Sequence, residues 1–156
     1  VLPSMRERGN GIIINVTSLA SHFVIPFQVH YSASKFAARA LTEGLRQELK
    51  PFGVKVCAVE PGDIQTRFNE MTQFSPATSS PYQPWAQAEW KVIDHNMQVA
   101  PPPTVVAKTI LRAITGPRWR QRYPTGDFSR YLPFISRFMP DWMREWGIRL
   151  FYGIHK

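Results

Sequence analysis

The sequence contains a single cysteine, Cys57, among its 156 residues, so no disulfide can form within the chain. Cys57 lies in the apolar run VKVCAVE, where a buried packing residue is far more common than a nucleophile. The sequence has no apolar run of about eighteen residues, the length that a membrane-spanning helix needs. His22, His30 and His95 lack the spacing of metal ligands, so we propose no metal site. The length fits one domain, and 44% apolar residues suffice for a hydrophobic core.

Charged residues are scarce, at 19% of the chain, and they are unevenly distributed. Residues 1–104 carry nine Lys/Arg and eight Asp/Glu, a net charge of +1, whereas residues 105–156 carry ten and three, a net charge of +7. A basic segment can attract nucleic acid or anionic lipid, but a solvated basic surface is more common. No nucleic-acid-binding motif accompanies the charge, so we do not expect nucleic acid as a partner.

Three side chains that could take part in catalysis follow one another at a specific spacing. Ser18 is followed thirteen residues later by Tyr31, and Lys35 comes four residues after that. The run GIIINVTS is typical of a buried strand that ends at Ser18, and Tyr31 opens a helical pattern. On one helix face the Lys35 ammonium would lie beside the Tyr31 phenol and favour the phenolate. Such a phenol can act as a general acid–base near neutral pH, with the Ser18 hydroxyl holding a substrate oxygen against it.

A second Tyr-x-x-x-Lys sequence, Tyr152 to Lys156, serves as an internal comparison. The residue thirteen positions before Tyr152 is Met139, and no strand pattern leads into it. Because a motif needs its structural context, we interpret this second copy as chance.

From Gly9 to Thr66 the chain resembles the catalytic half of a short-chain dehydrogenase/reductase. The resemblance rests on three spaced motifs: the strand that ends in Val-x-Ser at Ser18, the Tyr-x-x-x-Lys of Tyr31, and a later Pro-Gly-x-Ile-x-Thr. It implies an α/β fold, a doubly wound parallel sheet of the Rossmann type, of which this chain would supply the C-terminal half. It also implies hydride transfer between NAD or NADP and an alcohol or carbonyl.

The resemblance assigns a role to each motif residue. Tyr31 would transfer the proton, Lys35 would support Tyr31 and hold the nicotinamide ribose, and Ser18 would bind the substrate oxygen. The residues assigned to the cofactor are Tyr31, Lys35, Pro61, Gly62, Ile64 and Thr66. We expect a hydrophobic alcohol or ketone, such as a lipid or steroid, as substrate.

Family members begin with a Thr-Gly-x-x-x-Gly-x-Gly turn that holds the cofactor diphosphate, and this sequence has none. Gly9 and Gly11 precede a strand rather than a helix. We therefore expect residues 1–156 to be the C-terminal part of a single, longer NAD(P)-binding domain, inactive by itself. Within it, residues 67–101 would form a substrate loop with short helices, and residues 128–156 a helical tail.

Other patterns predict strands over 12–17 and 54–59, joined in parallel through a helix over 31–50. A further helix is expected over 101–114, and residues 118–123 alternate as a half-exposed strand would. The helix over 31–50 is rich in small residues, so a second subunit could pack closely against it and form a homo-oligomer. We expect a cytoplasmic location.

The tail places Met139, Trp142, Met143, Trp146 and Leu150 at helical spacing, with arginines between them. Such a stripe usually packs on its own domain or on a partner subunit, and the alternative is a basic helix lying on a membrane surface. The rival to an enzyme is a non-catalytic interaction module that keeps these surfaces and cannot turn over.

Overall fold

A sheet of three parallel strands, in the order β1-β2-β3, organises the structure. The computed structural model describes residues 1–68, 80–126 and 131–154. The strands are β1 (Gly11–Val16), β2 (Val54–Pro61) and β3 (Arg122–Thr125). The helices are α1 (Leu2–Glu7), α2 (Val29–Leu49), α3 (Gln83–Val99), α4 (Thr104–Thr115), α5 (Leu132–Phe138) and α6 (Asp141–Phe151).

Strand β1, helix α2 and strand β2 form the parallel crossover that the sequence predicts. The two strands pair in register from Gly11 opposite Val54 to Val16 opposite Val59. Both strands and the helix lie within two residues of their predicted bounds. Since the strands are parallel, their carboxyl ends share one edge of the sheet, and the chain enters α2 from that edge.

Strand β2 is buried on both faces, as its nearly continuous apolar sequence requires. On one face Val54 and Val56 pack with Leu45 and Leu49 of α2 and with side chains of α1. On the other face Cys57 and Val59 pack with Tyr123 of β3 and with side chains of α4. Helices therefore cover both faces of a parallel sheet, which confirms the α/β, doubly wound fold class.

At the opposite, amino edge of the sheet, two glycines allow two chain segments to approach each other closely. Gly9 ends α1 with a left-handed φ of +62°, and Gly53 precedes β2 with a φ of +70°. A side chain on Gly53 would collide with the carbonyl oxygen of Gly9. Here glycine is needed both for its backbone conformation and for the close approach of two chain segments.

The prediction of a loop with short helices over 67–101 is wrong for the part that the structure describes. Helix α3 runs for 17 residues from Gln83, although residues 69–79 lie outside the described ranges. Its fully buried position is occupied by a charged residue, Glu89. Because the residue that faces inward is polar, the hydrophobic period by which a helix is recognised is missing from this sequence.

Two other boundaries differ from those predicted. Helix α4 begins at Thr104 rather than at 101, since three consecutive prolines precede it. Of the strand predicted over 118–123, only Arg122 and Tyr123 are in β3, which runs from Arg122 to Thr125. Just before the strand, the Arg120 N–H donates to the Tyr123 hydroxyl at 2.9 Å.

The tail is helical, as expected, within residues 131–154. Trp142, Trp146 and Leu150 form one stripe along α6 and are 68%, 56% and 54% exposed. These three side chains are therefore mostly exposed among the described residues, whereas Met139 and Met143 of the predicted stripe are half-buried. No helix in these ranges combines the length and apolar character needed to cross a bilayer.

Candidate active site

Ser18 lies two residues beyond the carboxyl end of β1, where the chain turns through the 3-10 segment Leu19–Ser21. Its Oγ accepts a hydrogen bond from the Ala20 N–H at 3.1 Å and donates to the Pro61 carbonyl oxygen at 3.5 Å. The longer bond crosses from the end of β1 to the end of β2. The structure thus brings Ser18 next to the first residue of the Pro-Gly-x-Ile-x-Thr motif.

Tyr31 and Lys35 lie one turn apart in the first half of α2, and both are half-buried. The Lys35 Nζ lies 5.5 Å from the centre of the Tyr31 ring. On another side, the Tyr31 ring approaches the Phe68 ring, with 5.8 Å between centroids. Since Phe68 comes just after Thr66, this contact joins the start of α2 to the chain that leaves β2.

The segment after β2 is fixed by backbone hydrogen bonds to neighbouring elements. The Gly62 N–H donates to the Thr125 carbonyl at 2.9 Å, and the Gln65 N–H donates to the Pro101 carbonyl at 3.0 Å. Thr66 Oγ1 accepts from the Phe68 N–H at 3.3 Å. A Cβ on Gly62 would lie 3.3 Å from Leu19 Cδ1, so this turn packs closely against the loop that carries Ser18.

Direct contacts therefore join the predicted residues as two groups, Ser18 with Pro61 and Tyr31 with Lys35. Phe68, which the sequence did not single out, connects the Tyr31 ring to the segment of Ile64 and Thr66. The only signal for Phe68 in the sequence was its position two residues after a recognised motif.

Two acidic groups with raised pKa values, the buried Glu89 and the exposed Asp63, lie near this site, and sequence reasoning missed them. Glu89 of α3 is 1% exposed, and its Oε1 has no hydrogen-bond partner among the described residues. Burial raises its pKa to about 7, against the opposing effect of Gln28 at the start of α2. Partial desolvation also raises the pKa of Asp63, against the opposing effect of Asn96, although this residue is exposed. Asp63 occupies a variable position of the Pro-Gly-x-Ile-x-Thr motif and Glu89 lies outside every recognised motif, so neither carboxyl was singled out.

The second Tyr-x-x-x-Lys copy has the opposite electrostatics. The pKa of Tyr152 is raised by burial and by the nearby carboxyls of Asp63 and Glu89. Its lysine, Lys156, lies outside the described residues. A phenol whose ionisation is opposed in this way is unsuited to general acid–base chemistry near neutral pH, which supports interpreting this copy as chance.

Cys57 is fully buried in the sheet, and burial raises the pKa of its thiol to about 11. A thiol of this kind is almost never a thiolate at neutral pH, so Cys57 is a packing residue, as its sequence context predicted.

The comparisons with known proteins agree on one family. A family model described as short chain dehydrogenase matches residues 1–75. The chain is 33% identical over 157 residues to a 3-ketodihydrosphingosine reductase of Bacteroides thetaiotaomicron. That alignment covers 99% of this chain and 58% of the relative, so this chain spans little more than half of the relative's length.

Two solved structures share the fold. A short-chain dehydrogenase from Streptomyces avermitilis matches with a TM-score of 0.65 and 28% identity, covering 94% of this chain and 54% of that one. The closed form of a serine dehydrogenase complexed with NADP⁺ matches with a TM-score of 0.62 and 26% identity, covering 79% of this chain and 46% of that one.

Proposed function

Because this chain belongs to the short-chain dehydrogenase/reductase family, we propose that it takes part in NAD(P)-dependent hydride transfer between an alcohol and a carbonyl, with Tyr31 as general acid–base. The observation that carries the proposal is the approach of the Lys35 ammonium to the Tyr31 ring at the start of α2. The adjacent carboxyl edge of the sheet is where open α/β sheets bind their ligands.

The chemistry divides into a hydride step and a proton step. The cofactor, when bound, supplies or accepts the hydride. In carbonyl reduction, Tyr31 donates its phenolic proton to the substrate oxygen as that oxygen gains negative charge. The Lys35 ammonium stabilises the resulting phenolate, and the Ser18 hydroxyl donates a hydrogen bond to the same substrate oxygen. Alcohol oxidation runs the same transfers in reverse, with the Tyr31 phenolate taking the proton.

NAD or NADP is the proposed cofactor, and one similar structure is a complex with NADP⁺. The residues that would hold the nicotinamide end are Tyr31, Lys35, Pro61, Gly62, Ile64 and Thr66. The turn at Gly62 fits this role in one respect: it is held at a fixed position by the 2.9 Å hydrogen bond from its N–H to the Thr125 carbonyl.

The proposed substrate is a hydrophobic alcohol or ketone. The name of the Bacteroides relative states that it reduces a keto compound. In this chain the Phe68 ring lies against the ring of Tyr31, whose hydroxyl is the proposed reacting group. An apolar substrate would contact both rings there.

A homo-oligomer through α2 is a further part of the proposal. Val29 and Leu41 on this helix are both 61% exposed, and a Cβ on Gly44 would meet nothing within 4 Å. A second subunit could therefore approach this helix closely. Sedimentation of the protein before and after Leu41→Lys tests the contact, and an unchanged mass would contradict it.

Membrane-surface contact is a second candidate function, alongside a cytoplasmic location. It is favoured by the exposed stripe Trp142, Trp146 and Leu150, which has Arg149 on the same exposed side of α6. Amphipathic helices with aromatic and basic residues lie in the interface of anionic bilayers. Co-sedimentation with anionic vesicles, lost in a Trp142→Ser/Trp146→Ser variant, would support this contact, whereas equal pelleting of both proteins would contradict it.

The test of the main proposal is turnover by the protein at its natural length. Nicotinamide absorbance should change with NADH or NADPH and a hydrophobic ketone, and Tyr31→Phe should abolish the change while cofactor binding persists. Tyr152→Phe removes the same hydroxyl from the other Tyr-x-x-x-Lys sequence and should retain turnover. Substantial turnover by Tyr31→Phe would refute the role of Tyr31, and a protein without turnover or cofactor binding would favour the rival interaction module.

A further inference from the structure

A line of hydrogen-bonded side chains crosses from β2 to α2 without using any of the proposed reacting groups. Glu60 Oε1 lies 3.1 Å from His22 Nε2, and His22 Nδ1 lies 2.9 Å from Arg39 Nη1. Arg39 Nε in turn donates to Glu43 Oε1 at 3.0 Å. The inner members are shielded from water, since the side chains of His22 and Glu60 are 5% and 1% exposed.

The chemistry of the partners fixes the protonation of His22. A guanidinium can only donate hydrogen bonds, so the His22 Nδ1 facing Arg39 must accept and carries no proton. The proton of the neutral imidazole therefore lies on Nε2 and is donated to the Glu60 carboxylate. Protonating both ring nitrogens would set an N–H against the N–H of Arg39.

These contacts join three segments that carry the proposed reacting groups. Glu60 immediately precedes the Pro61–Gly62 turn. Arg39 lies one helical turn beyond Lys35 on α2, and its Nη1 also donates to the Ser21 carbonyl at 3.2 Å. Ser21 in turn donates to the Ser18 carbonyl oxygen through its N–H at 3.1 Å and its Oγ at 2.7 Å.

We propose that His22 is a positioning residue for the reaction, which holds the Ser18 turn, the Tyr31–Lys35 helix and the Pro61–Gly62 turn in one arrangement. The proposal rests on the proposed function and adds to it a residue outside the recognised motifs. A misplacement of a reacting group by about 1 Å can lower a rate by about 10²-fold. A side chain that holds these three segments together therefore affects turnover without contacting the substrate.

The arrangement makes the fold depend on His22 as well, and the test must separate the two effects. Glu60 Oε2 has no hydrogen-bond partner among the described residues, so His22 supplies the one bond that they give this buried carboxylate. His22→Leu alone would leave the buried Glu60 carboxylate without a hydrogen-bond partner and could unfold the protein. A His22→Leu/Glu60→Leu variant removes both polar groups together and should keep the fold.

The first experiment compares kcat, KM and Tm in the protein at its natural length. We expect His22→Leu/Glu60→Leu to melt close to the wild type yet to lose about 10²-fold in kcat and to raise the cofactor KM, because the displaced segments include the proposed cofactor residues. His22→Gln offers an amide N–H to Glu60 and an amide oxygen to Arg39, so it should recover most of the lost kcat. His95→Leu, on the exposed side of α3, is the control. A folded double variant with wild-type kcat would overturn the proposal.

The second experiment does not depend on activity. ¹⁵N-resolved NMR of the histidine side chains, with His22 assigned by its absence in His22→Gln, should show Nε2 protonated and Nδ1 unprotonated at pH 7. Arg39→Lys should shift the Nδ1 resonance. A His22 protonated on both nitrogens, or one insensitive to Arg39→Lys, would overturn the proposal even if Tyr31 acts as described. Retained turnover in Tyr31→Phe would instead refute the proposed function and leave this signature intact.

Discussion

The Lys35 ammonium nitrogen lies 5.5 Å from the centre of the Tyr31 ring, one turn further along α2. A cation over an aromatic face stabilises a structure by about 0.5–1 kcal/mol at an exposed site. This modest value means that Lys35 is not needed to hold the helix. Its removal should therefore affect the proposed chemistry far more than it affects folding.

Lys35→Ala should lower kcat/KM by about 10²–10⁴-fold, since the phenolate loses its neighbouring charge. It should also weaken cofactor binding, because the same ammonium is proposed to hold the nicotinamide ribose. Steady-state kinetics and a cofactor titration measure the two effects. Lys108→Ala removes an equivalent charge from the exposed side of α4 and is the matched control. Unchanged cofactor affinity in Lys35→Ala would contradict the ribose assignment.

Ser18→Ala should lower kcat/KM by about 10²-fold, the usual effect of losing one donor to an oxygen that becomes negative. The substitution also removes the bond from the Ala20 N–H to Ser18 Oγ, which should cost about 1 kcal/mol of stability. Kinetics together with thermal melting separate the two effects. Ser34→Ala, in which the lost hydroxyl bonds only the carbonyl of Tyr31 on the exposed side of α2, should change neither much. Wild-type turnover in Ser18→Ala would remove Ser18 from the mechanism.

Glu89 should make stability fall as pH rises. Burial raises the pKa of Glu89 from 4.5 to about 7, so between these values the folded protein retains a proton that the unfolded chain has released. The stability gained from this proton is complete below the unfolded pKa and is lost as pH rises through the folded pKa.

Glu89→Gln keeps the shape of the neutral acid and can still bond Gln28. Its Tm should match the wild type near pH 5 and exceed it near pH 8, as measured by calorimetry in both buffers. Glu48→Gln, on the exposed side of α2, should show no pH-dependent difference. A Tm difference for Glu89→Gln that stays constant between the two pH values would show that Glu89 is ionised throughout.

The 156-residue chain should bind NAD and NADP weakly or not at all when titrated calorimetrically. The family's diphosphate site is a glycine turn at a helix N-terminus, where backbone N–H groups and the helix dipole hold the phosphates. This sequence contains no such turn. Micromolar binding by the purified chain would mean that another segment of it holds the diphosphate.

The sequence predicted the β1-α2-β2 crossover well because local and long-range preferences agree there. GIIINVTS and VKVCAVE are runs rich in β-branched residues, half-buried in β1 and almost fully buried in β2, and the helix between them has few strand-forming residues. The assignments of Ser18, Tyr31 and Lys35 come from the same region. Their spacing places Ser18 just after β1 and places Tyr31 and Lys35 in the first half of α2.

Sequence reasoning failed where buried residues are polar. Glu89 and Glu60 face inward from α3 and β2, although acids are almost never fully buried without a partner. Their partners, Gln28 and His22, come from a loop more than thirty positions earlier in the chain. Pairings of this kind depend on the tertiary fold, so no local window could have revealed them.

The two edges of the sheet have different freedom to change during evolution. At the amino edge Gly9 and Gly53 meet backbone to backbone, so almost any substitution at Gly53 would separate the chains there. Beyond the carboxyl edge, α3 and the tail expose many of their side chains. A lineage carrying this fold could therefore alter the exposed positions of α3 and the tail while the residues proposed for the chemistry, Tyr31 among them, stayed unchanged.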